Sequence, residues 1–132
     1  MKKMWMILLL PLAFLVACSS GMVSEGQDAG HGQYKDKLEV DNPALYDKID
    51  IHAVKMRRLG DMLNVQVTLH NESHYRGRYQ YRFKWFDADG FEIASESTGW
   101  QPVELHGKQD YTVEGTAPTP AAQKFHIVFR EQ

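Results

Sequence analysis

An all-β sandwich is the fold class this sequence predicts, and three observations carry the prediction. Apolar and polar residues alternate at period two through much of the chain after Ile49. Clusters of Gly, Asn, Asp and Pro interrupt that alternation at fairly even spacing. No stretch carries the 3.6-residue period of a long helix. Successive side chains on a strand point to opposite faces, so a half-buried sheet reads as alternation. The 132 residues leave room for one domain behind a leader.

The leader comes first. Lys2 and Lys3 give a positive start, Met4 to Ala17 are mostly apolar, and the run ends Leu15-Val16-Ala17-Cys18. These are the parts of a secretory signal peptide. The run falls short of the ~20 apolar residues of a comfortable membrane span, and Pro11 interrupts it. A plain secretory signal would not need Cys18, and a retained anchor would not end there. The ending resembles the bacterial lipoprotein box. That resemblance implies a signal peptide over 1–17, cleavage before Cys18, a diacylglycerol on its sulfur and an acyl chain, such as palmitate, on its new amino group. A single myristoyl chain binds membranes with K of only about 10⁴ M⁻¹, whereas two or more chains anchor stably. Ser19 follows, not Asp. By similarity to the enterobacterial sorting rule, this places the protein on the periplasmic face of the outer membrane.

Residues 18–40 are polar, rich in Gly, Ser, Asp and Gln, and without apolar period. They read as a flexible tether carrying the lipid at Cys18. The domain is expected over 41–132. Asp41-Asn42-Pro43 reads as its opening turn, followed by a short helical turn near Ala44 to Lys48.

Ile49, Ile51 and Ala53 alternate with Asp50, His52 and Val54 in a first strand. Arg57 to Asp61, with Gly60-Asp61, reads as a hairpin turn. Leu63, Val65, Val67 and Leu69 then alternate with Asn64, Gln66, Thr68 and His70, the clearest strand in the chain. Asn71-Glu72-Ser73 is a polar turn in which Asn can bond nearby backbone. From Tyr79 to Phe86, the rings of Tyr81, Phe83 and Trp85 share the expected core face. Gln80, Arg82 and Lys84 take the other face and lay their stems over the sheet. Asp87 to Gly90 is a turn, and Phe91 to Ser95 the returning strand. Trp100 to Leu105 is a weaker strand that Pro102 assigns to an edge or bulge. Tyr111 to Gly115, a Pro-rich loop, and Phe125 to Arg130 complete the domain. Short strands in this number and spacing predict an immunoglobulin-like β-sandwich of about seven antiparallel strands.

Asn64 to Asn71 (NVQVTLHN), Tyr79 to Ile93 (YQYRFKWFDADGFEI) and Trp100 to His106 (WQPVELH), read together, resemble the YcfL-like family of small proteobacterial lipoproteins. The resemblance covers about Asp41 to Arg130. It implies a lipobox and an immunoglobulin-like sandwich, and no established enzyme activity or cofactor. Cys18 alone is carried over as a site residue.

Without Lys2 and Lys3, 13 basic residues face 17 acidic ones. That acidic balance argues against nonspecific nucleic-acid binding. The lone cysteine, if lipidated, leaves no disulfide. No nucleophile elbow is present. Glu92 and Glu96 read as one wet strand face. Asp87 to Gly90 opens like a calcium loop but lacks the later ligands. His70 and His74 bracket Glu72, yet His52, His106 and His126 are too scattered in sequence to complete a metal site, so none is expected. Arg57, Arg58, Tyr75, Arg76 and Arg78 are the candidate partner-binding residues, because Arg and Tyr are enriched at interfaces and their segments are expected to lie beside pairing strands. The function expected is a non-catalytic outer-membrane lipoprotein presenting its sandwich to a periplasmic partner, in envelope or cell-wall assembly. The alternative is an anchored carrier of a small ligand or metal.

Overall fold

The computed structural model of the chain describes residues 32–132. The expected signal peptide, Cys18 and the tether up to residue 31 lie outside the described residues. Among the described residues there are eight strands: β1 (Leu38–Val40), β2 (Ile49–Leu59), β3 (Met62–Asn71), β4 (Gly77–Phe86), β5 (Glu92–Ile93), β6 (Gln101–Leu105), β7 (Asp110–Thr116) and β8 (Lys124–Glu131). Short 3₁₀ turns are the only helical pieces described.

One sheet runs β2-β3-β7 and the other β1-β8-β4, with β5 and β6 both pairing β4. The result is a sandwich. Its order places β2-β3-β7 where an immunoglobulin-like sandwich has A-B-E, and β6-β4-β8 where it has C′-C-F. The position beyond F, normally an antiparallel strand, is taken by β1, which runs parallel to β8.

That strand corrects the expected tether. Leu38 pairs Ile127 and is buried, so the folded part starts before residue 41. Behind it, Asn42 caps a 3₁₀ turn over Pro43–Asp47, its Oδ1 accepting from the Ala44 amide at 3.1 Å. Pro43 fits the first turn, where no amide is needed. The turn drives Leu45 wholly into the core.

The first hairpin is tighter than expected. β2 and β3 pair up to Leu59 and Met62, leaving Gly60-Asp61 as a two-residue loop. Gly60 has φ 57°, and a positive φ at the first loop residue is the pattern of a type II′ turn. Arg57 and Arg58 are therefore strand residues. The returning strand is shorter than expected, only Glu92–Ile93, because Ala94 turns left-handed at φ 54° and a 3₁₀ turn follows.

The expected core face of β4 is in place. Phe83 stacks on Trp85 with centroids 5.4 Å apart and meets Phe125 at 6.1 Å. Leu63, Val65, Val67 and Leu69 face them from β3, all buried. Pro102 lies on β6, which among the described residues pairs β4 alone, an edge position that needs no amide.

Candidate functional site

The candidate arginines fall into two separate places. Arg57 and Arg58 lie at the β2–β3 hairpin tip and hold structure. Arg57 Nε donates to Asn64 Oδ1 at 2.9 Å, and the buried Asn64 donates to Glu114 and Thr116. The Asn64 hydrogen bond, followed by one from Gln66, holds the Glu114 carboxyl below the usual glutamate range. Arg58 donates to the carbonyls of Asp61 and Ala122, each at 2.9 Å. It thereby fastens the loop after β7 to the hairpin.

Arg76 and Arg78 lie at the other end of the sandwich, where β4 begins. Both approach one carboxylate, Glu104, at 3.4 and 3.3 Å. Tyr75 stands beside them, 82% exposed. With Lys48 they border a groove of about 370 Å³. The ten residues of β3 separate the two arginine groups by about 30 Å, at ~3.3 Å per residue. The expected single patch is not formed, because the two groups lie at opposite ends of β3.

A different cluster forms on the outer face of β2-β3-β7. His70 pairs Asp50 on one side and Asp110 on the other. The register of β2 shifts between Ile51 and Ala53, so His52 is the extra residue of a β-bulge, a feature that re-aims a side chain. Its ring lies flat on that of His70, with centroids 4.2 Å apart and planes 8° from parallel. Asp110 Oδ1 stands 2.6 Å from His70 Nδ1 and 3.3 Å from His52 Nδ1. On the far side of the His52 ring, Glu72 Oε1 is 3.8 Å from Nε2. Asp50 is buried and accepts from the amides of Gly32 and Ile51. The donor atoms of His52, His70 and Asp110 all lie within 4.8 Å of one another, as do those of Asp50, His52 and Glu72. Sets of this size and type can hold a metal ion. His74 and His106 are exposed and outside the cluster. The histidines judged scattered in sequence thus include one, His52, that the fold brings onto His70.

The match to known proteins is to a family model described as a protein of unknown function (DUF1425), over residues 36–131. The chain belongs to the DUF1425 family. A crystal structure of a DUF1425 family member from Shewanella sp. pv-4 is similar at TM-score 0.58 and 29% identity, over 70% of this chain and 85% of that one. The structure of Campylobacter jejuni cj0090 is similar at TM-score 0.59 and 15% identity, over 73% of this chain and 98% of that one. At that identity the likeness is one of fold. No curated protein matches the chain.

Two further features of this DUF1425 domain escaped sequence reasoning. On the outer face of the other sheet, Glu39 of β1 accepts from Lys84 Nζ at 2.6 Å and stands 2.7 Å from His126 Nδ1. Burial pushes its carboxyl up, but the hydrogen bonds and charges of Lys84 and His126 outweigh that and hold it below the ordinary value. Beside them, the Arg82 and Arg130 guanidiniums lie 5.1 and 4.0 Å from the Trp100 ring centre. The second feature is a cleft of about 320 Å³. β6 pairs β4 only as far as Tyr81 and β5 only from Trp85, so the sheet opens between them. Tyr81, Phe83 and Trp85 line the cleft, together with Gln101, Glu114 and Thr116. Both features join residues far apart in sequence, and neither leaves a local pattern.

Of the remaining candidates, Asp87 Oδ1 accepts from the amides of Asp89 and Phe91, so that carboxylate serves the hairpin turn. Glu92 lies on β5 and Glu96 in the next 3₁₀ turn, both exposed. They do not share one strand face.

Proposed function

We infer that the protein is a non-catalytic lipoprotein of the YcfL-like kind, held by lipid on Cys18 at the periplasmic face of the outer membrane. Its sandwich is presented to a periplasmic protein acting in envelope or cell-wall assembly. The observation that carries this reading is the end of the sandwich where β4 begins. Tyr75 stands exposed there between a groove and two guanidiniums that share one carboxylate. An exposed ring beside incompletely neutralised arginine has the composition of an interface anchor and suits an acidic partner surface. The lipobox supports the address. Gly32, where the described fold starts, is fourteen positions after Cys18. At ~3.6 Å per extended residue the domain stays within about 50 Å of its anchor, and confinement to one surface raises its effective concentration near partners there.

The test is crosslinking in intact cells from a photoreactive residue at position 75. A reproducible periplasmic adduct that disappears with Cys18→Ala supports the reading. No adduct from an envelope-localised protein refutes it.

A second reading, an anchored small-ligand carrier, is favoured by the cleft beside β4. Three aromatic rings line it beside Arg82, Gln101, Glu114 and Thr116, which suits a polar ligand with a flat apolar part, and its volume sits at the lower limit of ligand pockets, about 300 Å³.

A further inference from the structure

We propose that His52, His70 and Asp110 bind one divalent transition-metal ion on the outer face of the β2-β3-β7 sheet, with Glu72 orienting His52. This site shares no residue with the Tyr75 groove, although Glu72 directly precedes Ser73 of that groove, and it stands whether or not the protein is lipidated.

The donor set is the first argument. Two imidazole nitrogens and a carboxylate oxygen come from three adjacent strands, with Asp110 Oδ1 2.6 and 3.3 Å from the two Nδ1 atoms. Ligand bonds to zinc of about 2.0–2.2 Å place neighbouring donors roughly 3.3 Å apart in a tetrahedron. The His52–Asp110 spacing is already that of a coordination shell, and the shorter His70–Asp110 hydrogen bond has to open to admit the ion. On binding, His70 takes up the tautomer with its proton on Nε2, so that Nδ1 presents its lone pair and the ion replaces the hydrogen bond to Asp110. The two rings, now 8° from parallel, tilt so that their lone pairs converge. Asp110 has about half its side chain exposed and is free to follow.

The second argument comes from the other nitrogen of His52. Metal-bound histidines usually give their second ring N–H to a carboxylate, which fixes the tautomer. Glu72 stands on that side of the ring, 3.8 Å from Nε2. The bulge is the third. An extra residue at position 52 disturbs the ladder, and its result is to bring one imidazole against another.

Charge points the same way. Asp50, Glu72 and Asp110 lie around two stacked imidazoles, a concentration of negative charge that favours a cation at the ring edges where Asp110 meets both Nδ1 atoms. Imidazole with carboxylate selects zinc, copper, nickel or cobalt over magnesium and calcium, which prefer oxygen alone. Three protein ligands leave at least one position open to water or a partner's side chain.

Titrating Zn²⁺ into the full chain by calorimetry tests this. One saturable event per chain is expected, with none for Mg²⁺ or Ca²⁺. His52→Ala and His70→Ala should each weaken binding at least about tenfold, and Glu72→Gln by roughly tenfold. His74→Ala with His106→Ala should leave it unchanged. Circular dichroism checks that the variants fold. If they do not, Cu²⁺ broadening of histidine ring signals in the unaltered chain decides, with His52 and His70 expected to broaden first. Absence of saturable Zn²⁺ and Cu²⁺ binding, binding retained without both histidines, or broadening centred elsewhere would overturn the proposal.

Discussion

Asn71 donates from its buried Nδ2 to the carbonyl of Leu105 at 3.1 Å, joining the end of β3 in one sheet to the end of β6 in the other. The same amide donates to the Tyr75 carbonyl at 2.8 Å, and Oδ1 accepts from the Ser73 amide at 2.9 Å. Asn71 thus closes the loop that carries Tyr75. Replacing it by Ala leaves the buried Leu105 carbonyl and the part-buried Tyr75 carbonyl without this donor, at about 1–3 kcal/mol for each group stranded. Asn71→Ala is expected to destabilise the domain by about 3 kcal/mol. Urea denaturation with an unchanged slope and a lower midpoint is the check.

The turn after β6 presses on that same loop. Lys108 donates its amide to the carbonyls of Asn71 and Ser73, and a Cβ on Gly107 would fall onto the His74 carbonyl. The obstruction is backbone on both sides, so no side chain can swing clear. Gly107→Ala is expected to cost about 1–3 kcal/mol, and amide exchange should quicken first across residues 72–76.

These contacts explain what the sequence made legible. The alternation of Leu63 to Leu69 and the ring face of β4 were readable because each strand buries one face and solvates the other. β1 was not, since three residues carry no period and its partner lies some ninety positions away. His52 lies eighteen positions before His70, and neither the strand register nor the bulge that sets one ring on the other leaves a mark in the sequence. The arginine groups were misjudged because the ten residues of β3 run between them and set them at opposite ends of the sandwich. Asn71 was legible in part: its bond to Ser73 is local, while its bond to Leu105 crosses the sandwich.

Separation of the arginine groups makes a sharp functional prediction. Charge reversal at Arg76 and Arg78 should abolish capture of a periplasmic partner, with Tyr75→Ala reducing it at least about tenfold, as expected of an interface anchor worth 1.4 kcal/mol or more. Arg57→Ala with Arg58→Ala should leave capture intact while loosening the loop near Ala122. Pull-down with the lipidated chain, paired with thermal melts, separates the two outcomes. Capture that follows Arg57 and Arg58 instead would move the interface to the other end of the sandwich.

Glu39 gives the fold an acid limb. Its carboxyl titrates below the ordinary glutamate value of 4.5, because hydrogen bonds and charge from Lys84 and His126 outweigh the opposing effect of burial. A carboxyl whose folded pKa is depressed contributes stability that is fully present above the unfolded pKa and is lost as pH falls through the folded one. The ionised form also clamps β1 to β4 and β8, since its partners sit on those strands. With a third of the side chain exposed, solvent screens the contribution and keeps it modest. Wild-type protein is expected to be more stable than Glu39→Gln at pH 7, with the gap closing as pH falls below 4.5 and through the depressed folded value. Denaturation midpoints of both proteins from pH 7 to pH 3 measure it, and a gap that stays constant across that range would mean that the carboxylate charge contributes nothing to holding β1 in place.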